Sequence, residues 1–182
     1  MLRRKHLTTF EIEKMLEATA NSRNQARNYC LLLMCFLHGA RVSEAISWRL
    51  SDIDFNTSHI YIHRLKKGFS TVHPLIKREK TALKNWLGVR ESYPNHQSDY
   101  LFISQKGKPL SRQQVYLLVK QYSAMAELSI RAHPHMLRHS CGYALADRGI
   151  DTRLIQDYLG HRNIRHTVIY TASNPERFRN IW

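Results

Sequence analysis

The sequence predicts an α+β fold that is mostly α-helical. Two segments, 8–11 and 111–114, place a hydroxyl residue three positions before Glu or Gln, a pattern typical of helix starts. A nearly unbroken apolar stretch at 27–38 is too long for one strand and predicts a buried helix. Alternating apolar residues at 59–63 and 70–74 predict two strands. Helices therefore dominate, and a small sheet accompanies them.

The length and charge of the chain indicate one domain that binds a polyanion. Its 182 residues suffice for a single buried core, so we expect one domain over residues 1–182. Lys and Arg total 28 against 14 for Asp and Glu, a formal net charge of +14. This surplus favours nucleic acid as the partner and, second, an anionic membrane surface. The longest apolar run, 31–37, cannot span a bilayer, and no signal-peptide pattern follows the basic start, which favours the cytoplasm.

The three cysteines, Cys30, Cys35 and Cys141, are expected to be buried free thiols. They are odd in number, have no Cys-x-x-Cys spacing and lie in apolar helical segments, as is usual in a reducing cytoplasm. Eleven histidines raise the question of a metal site. They are scattered and include no His-Glu-x-x-His motif, so we expect no bound metal.

Three helices are predicted in the N-terminal part. The first runs from a Thr8 cap to about residue 20, and the buried second helix, 27–38, is stopped by Gly39. Ser43 is a suitable cap for a short third helix that ends near Leu50. Arg41 then lies in the turn just before a helix N-terminus.

A β-hairpin is predicted next, with Lys66, Lys67 and Gly68 between its two strands. Pro74 indicates that the second strand is an edge strand. A helix over 76–89, a short strand at 100–103 and a helix from the Ser111 cap to about residue 127 follow.

The C-terminal part is predicted to carry three more helices. Pro134 suits the first turn of a helix that runs to about Arg148. On it, His135 and Arg138 are three residues apart and share a face, which we expect to point away from the core. Residue 149, a glycine, ends this helix.

Two short helices end the predicted fold. Asp151 caps the first, and Gly160 turns the chain after Leu159 so that His161 is presented from the bend. The second begins near Ile164 and carries Tyr170.

Four polar side chains suit attack on a phosphodiester. The diester's own negative charge repels nucleophiles, and the guanidinium groups of Arg41 and Arg138 can bind its oxygens bidentately. Tyr170 is the candidate nucleophile, which would form a covalent phosphotyrosine. A phenol has a pKa of about 10, so it needs a base at neutral pH, and His135 is the residue expected to take its proton.

Three further residues complete the predicted site. The leaving 5′ hydroxyl needs an acid, for which we select Lys66 in the hairpin turn, with Lys67 as the alternative. His161 is expected to hydrogen-bond a nonbridging oxygen. Glu44, three residues after Arg41, is expected to orient the residues around it.

This ordered set resembles the signature of the tyrosine recombinases, or phage-type integrases. The matching elements are the turn 39–44, a hairpin lysine, His135 to Arg138, the Leu-Gly-His of 159–161 and Tyr170, which together extend over nearly the whole chain. The resemblance implies a catalytic domain with a small three-stranded antiparallel sheet. It also implies that the basic residues assist the tyrosine without metal or nucleotide cofactor.

The resemblance assigns several individual residues. It favours Lys66 because the family lysine precedes the proline of the second strand by about eight residues, and it gives His139 a packing role. With its first helix starting near Thr8, the chain is expected to lack the family's N-terminal core-binding domain. It is then most similar to the small recombinases that invert a promoter segment to switch fimbrial genes. In the tail, Phe178, Ile181 and Trp182 either contact a neighbouring subunit or cover their own core.

The expected function is therefore site-specific recombination by a homo-tetramer on inverted-repeat DNA sites, with possible accessory DNA-bending proteins. Three alternatives stay open: an integrase or excisionase of a mobile element, a type IB topoisomerase-like enzyme and a non-catalytic DNA-binding regulator. Residues expected to contact DNA are Lys67, Arg112, Gln113, Gln114 and Tyr116.

Overall fold

Helices carry most of the fold, as the sequence predicts. The computed structural model of the protein describes residues 4–65, 68–172, 174 and 178. Over these residues there are eight α-helices and three strands, joined in places by short 3-10 turns. Their bounds are α1 Thr9–Glu17, α2 Gln25–Leu37, α3 Val42–Ala45, β1 Ile53–Asp54, β2 His59–Ile62, β3 Thr71–Pro74, α4 Lys77–Arg90, α5 Arg112–Met125, α6 Pro134–Asp147, α7 Thr152–Leu159 and α8 Arg165–Thr171.

Helix α2 is the centre of the core. It packs against α1, α4 and α6, and three of its side chains, Cys30, Leu31 and Met34, are fully buried. The prediction of a buried central helix is confirmed, and so is that of buried free thiols for all three cysteines. Within the described ranges, no helix is both long and apolar enough to cross a membrane.

The capping predictions hold where the side chains pair locally. Thr8 Oγ1 accepts from Glu11 N at 3.2 Å, while Glu11 Oε2 accepts from Thr8 N at 2.8 Å. The same reciprocal pair opens α5, between Ser111 and Gln114. Asp151 caps α7 by accepting from two backbone amides of its first turn.

Helix α3 differs from its prediction at both ends. Its N-cap is Arg41 and not Ser43, because the Glu44 carboxylate accepts from Arg41 N at 2.8 Å. The helix ends at Ala45 and does not reach Leu50. The chain beyond it pairs instead with the segment 99–101, to which Leu50 N and Trp48 O are hydrogen bonded.

The sheet is three-stranded and antiparallel, in the order β1-β2-β3. His59 pairs with Pro74, and β3 is an edge strand as expected. The predicted strand at 100–103 is wrong, because its backbone makes only isolated bridges, and β1 supplies the third strand. Residues 101–103 are instead fully buried, with Trp86 Nε1 donating to Leu101 O at 2.9 Å.

Candidate active site

A cavity of about 320 Å³ lies where the turn before α3, helix α6 and helix α8 meet. It gathers five of the six predicted catalytic residues, and the sixth, Lys66, lies outside the described residues, as does Lys67. The residues that line the cavity are Arg41, His135, Arg138, His139, His161, Arg165, His166, Ile169 and Tyr170.

Arg138 is more deeply buried than its position on α6 predicts. The expectation that it points away from the core is wrong, because its side chain is almost fully buried and reaches two turns of the chain. Its Nη1 donates to Gly39 O at 2.5 Å and its Nη2 to Leu159 O at 2.8 Å. Burial, then the charges of Arg41 and Arg64, lower its pKa to about 10, so the guanidinium remains charged at neutral pH.

Glu44 organises the arginines around this cavity. Its carboxylate is fully buried and accepts from Arg41 Nη1 at 2.7 Å and from Arg64 Nη1 at 3.1 Å. Burial opposes ionisation, but the hydrogen bonds from Arg41 and the charges of Arg64 and Arg138 outweigh it and lower the pKa of Glu44. The carboxylate is therefore ionised and fixes the position of Arg41.

Arg64 is a residue of this network that the sequence reading missed. Its Nη2 donates to His38 O at 3.0 Å and to Tyr158 O at 2.9 Å, which ties the hairpin to the ends of α2 and α7. The alternation along β2 could have indicated its burial, because Ile60, Ile62 and Arg64 all lie on the buried face of the strand and its extension.

The hairpin turn starts and ends beside the cavity. Leu65 N donates to Glu44 Oε1 at 3.2 Å. On the other flank, a Cβ added to Gly68 would lie 3.0 Å from Gly160 O. The two residues that flank the predicted lysines are thus packed against the site.

His161 lies in the bend after α7, as its position after Gly160 predicts, and its side chain is buried there. Its Nδ1 is 2.9 Å from Thr167 Oγ1, and Gln156 Nε2 donates to its carbonyl at 2.8 Å. Burial, then the charge of Arg138 and other nearby cations, lower its pKa to about 3, so the ring is neutral. When Thr167 donates to Nδ1, the ring hydrogen is on Nε2, which can then donate a hydrogen bond to an anion.

Tyr170 is held in a close-fitting seat, with only 1% of its surface exposed. The ring of Tyr143 meets it edge-on at 5.1 Å, and a Cβ added to Gly142 would lie 2.5–2.7 Å from three of its ring carbons. Burial raises the pKa of Tyr170 to about 12, although the charge of Arg138 opposes the shift. The phenol is therefore protonated at neutral pH and needs a proton acceptor to react.

The family resemblance gave His139 a packing role, but in the structure its ring also contacts the hydroxyl of Tyr170. Its Nδ1 lies 3.1 Å from the hydroxyl oxygen of Tyr170. Its ring also meets that of His135 edge-on, with centroids 4.5 Å apart. Nothing in the sequence indicates the contact between His139 and Tyr170, because the two residues are 31 positions apart.

Gly142→Ala tests whether the tyrosine seat matters. The new methyl group would overlap the Tyr170 ring, so we expect the hydroxyl to shift and covalent attachment to DNA to fall by at least about 10-fold. The measurement is the rate of adduct formation on a nicked DNA site. Gly88→Ala is the matched control, because nothing lies within 4 Å of its added Cβ and a helical alanine is favourable. Equal rates in the two variants would contradict this role for Gly142.

Basic grooves continue from the cavity along α5. His135 lines both the cavity and a neighbouring groove of about 670 Å³ that contains Arg112, Gln113 and Tyr116, three of the predicted DNA contacts. Gln114 is exposed but caps α5 through its side chain. Tyr116 also borders a further groove whose cationic side chains are Arg4, Lys5, Lys120 and Arg131.

Three comparisons place the chain among known proteins. Residues 5–177 match the phage integrase family. The type 1 fimbriae regulatory protein FimB of Escherichia coli strain K12 is 61% identical over 180 residues, which cover 99% of this chain and 90% of FimB. The regulatory protein FimE of the same strain is 49% identical over 183 residues, covering 100% of this chain and 92% of FimE.

A solved structure gives the same result for the fold. The XerH site-specific recombinase, crystallised on a palindromic difH substrate as a post-cleavage complex, matches with a TM-score of 0.81 at 32% identity. The match covers 95% of this chain and 51% of XerH, so the chain spans about half the length of that protein.

Proposed function

The chain belongs to the phage integrase family and is a tyrosine recombinase, and we propose that it controls fimbrial gene expression by inverting a promoter segment. Its partner is DNA and its activity is site-specific recombination. One observation supports the chemistry most directly: Tyr170 lines a single cavity together with Arg41, Arg138 and His161. A chain with that cavity and with fimbrial regulators as relatives fits a recombinase that acts at a fimbrial switch.

In the proposed reaction, Tyr170 attacks the scissile phosphodiester and forms a 3′-phosphotyrosine. Arg41 and Arg138 bind the nonbridging oxygens, where negative charge grows in the transition state. His161 donates a hydrogen bond to one of them. Glu44 acts on the same step by fixing Arg41, whose guanidinium it holds at 2.7 Å.

Two proton transfers accompany the attack. Lys66 is proposed to protonate the leaving 5′ oxygen, since both flanks of its turn pack against the site. The phenol proton goes to a histidine of α6. The sequence predicts His135 for this role, and the contact of His139 with the hydroxyl adds a second candidate.

We place the duplex over the cavity and the basic grooves beside it. There the cationic side chains would neutralise phosphates, while Arg112, Gln113 and Tyr116 face the groove nearest the site.

Inversion requires two inverted-repeat sites, which fits a homo-tetramer, with accessory bending proteins to bring the sites together. We also propose that residues 1–182 act as one catalytic domain in the bacterial cytoplasm, associated with the nucleoid.

The C-terminal tail is proposed to join the subunits of that tetramer. Phe178 is 59% exposed and so suits an intermolecular contact. Ile181 and Trp182, the other predicted anchors, lie outside the described residues.

A plasmid inversion assay tests the proposed function. The substrate carries the inverted-repeat segment that adjoins fimbrial genes in the source genome, and a restriction digest reports its orientation. We expect the purified protein, supplied with host DNA-bending proteins, to produce both orientations without added metal or nucleotide. Three results would overturn the proposal: relaxation of supercoiled DNA that lacks the repeats, recombination of direct repeats only, or binding without cleavage.

A further inference from the structure

The contact between His139 and Tyr170 has a specific geometry. The two residues are 31 positions apart, yet Nδ1 of His139 lies within hydrogen-bonding distance, 3.1 Å, of the atom that would attack phosphorus. Gly142, nearly one turn further along α6, leaves the space that the Tyr170 ring occupies. Helix α6 thus supplies both the seat for the ring and a hydrogen-bond partner for its hydroxyl.

We infer that His139 is a catalytic residue, the proton acceptor for Tyr170 during strand cleavage and the proton donor to it during rejoining. This inference rests on the proposed function and deepens it. It replaces His135 as the group that directly receives the phenol proton.

The bond between Tyr170 Oη and phosphorus forms as the bond from phosphorus to the 5′ oxygen breaks. The phenol proton passes to His139 Nδ1, and the 5′ oxygen receives a proton from the acid proposed above, Lys66. Nδ1 must start without a proton, so the reactive tautomer carries its hydrogen on Nε2. Rejoining reverses each transfer.

The surroundings of His139 keep the ring neutral before DNA binds. Half-burial, then His135 and Arg138 on its own helix, His133 before that helix and His6 from the N-terminal segment, lower its pKa to about 4. The group that faces it from α8 is Tyr170. A bound phosphodiester adds a negative charge to this cationic environment and so favours the imidazolium that the reaction produces. His139 is therefore a base that gains proton affinity when the substrate arrives.

His135 is then assigned a different role, at the DNA itself. Its side chain is exposed and lines both the cavity and the groove beside it, where the sugar–phosphate backbone of bound DNA would pass. A phosphate contact from His135, one turn before His139, suits this position.

The test measures adduct formation on a nicked suicide substrate with a 5′-bridging phosphorothiolate at the scissile position. The inverted repeats of the plasmid assay supply its sequence. Sulfur leaves without a proton, so the rate does not depend on Lys66. We expect His139→Ala to lower the rate roughly 10²–10⁴-fold. Added imidazole should restore part of it, in proportion to the fraction of imidazole present as free base.

Two further variants separate catalysis from structure. His139→Asn keeps an amide near the position of Nδ1 but cannot take a proton, so its rate should stay low and lose the pH dependence of the wild type. His59→Ala, which removes an exposed histidine on β2 outside the cavity, should match the wild type with or without imidazole.

The outcomes distinguish this inference from the proposed function. If the wild type forms no adduct on this substrate, the proposed function fails. If the wild type forms adducts and His139→Asn forms them at the same rate and with the same pH profile, only the role of His139 is refuted. Loss of activity in His139→Ala without rescue by imidazole, in a folded protein that binds DNA, also refutes it.

Discussion

Tyr170→Phe will form no covalent protein–DNA adduct on a nicked suicide substrate, while its affinity for that DNA stays close to that of the wild type. The substitution removes only the hydroxyl, so the loss of cleavage should be on the order of 10⁴-fold or more, because no other atom can replace the nucleophile. The aromatic ring keeps its seat against Gly142. Loss of the hydrogen bond to His139 should lower the free energy of unfolding by only about 1 kcal/mol.

Tyr61→Phe is the matched control, since it removes the same hydroxyl from an exposed tyrosine on β2. Adducts are resolved by denaturing gel electrophoresis, and binding is measured by mobility shift. Adducts that persist in Tyr170→Phe at the level of this control would mean that another residue is the nucleophile.

Glu44→Gln will lower the free energy of unfolding by about 3–5 kcal/mol. The carboxylate is fully buried against Arg64, whose side chain is also fully buried, and a neutral amide leaves that charge without its counter-ion. Arg138 is close enough to add to the repulsion that remains. The measurement is urea denaturation at pH 7, followed by circular dichroism. Cleavage should fall as well, because Arg41 loses the group that fixes it.

Glu13→Gln provides the control for this second prediction. Glu13 makes a two-point contact with Arg78 at 2.7 Å for each bond, but its side chain is 37% exposed. Solvent screens such a pair, so its loss should cost less than about 1 kcal/mol. Equal destabilisation by the two substitutions would show that the buried network does not stabilise the fold as described.

The effect of Glu44 also depends on pH in a definite direction. Its pKa in the folded protein lies below the ordinary value of 4.5, because the hydrogen bonds and charges around it outweigh the effect of burial. The stabilisation is therefore complete above pH 4.5 and is lost as the pH falls through the folded pKa. The difference in unfolding free energy between wild type and Glu44→Gln should shrink on acidification. A difference that grows in acid would contradict this assignment.

Several elements were predictable because they depend on neighbours in the chain. Capping at Thr8, Ser111 and Asp151 needs only partners two or three residues away, and each is present. Gly39 and Gly160 both adopt the left-handed conformation that ends a helix. The order of the candidate site residues likewise follows from spacing and side-chain chemistry, and five of those named lie around one cavity.

Tertiary structure decided what depends on distant parts of the chain. Segment 100–103 is as apolar as a strand, but its backbone pairs with other segments at single positions, so burial and not the sheet fixes it. The N-cap of α3 is Arg41 and not Ser43, because the Glu44 carboxylate accepts from Arg41 N, and Arg64, twenty residues further on, donates to the same carboxylate. Local pattern carries no information about such a partner.

The sequence by itself determined the candidate residues for the chemistry: a tyrosine, two arginines and two histidines in a recognisable order. Only the tertiary structure decided how deeply Arg138 is buried and which histidine nitrogen meets the Tyr170 hydroxyl. The reason is physical. Residue types fix charge, nucleophilicity and local backbone preference, whereas burial and contact distance arise when helices α6 and α8 pack together. That packing places His139 within hydrogen-bonding distance of the hydroxyl of Tyr170, the candidate nucleophile.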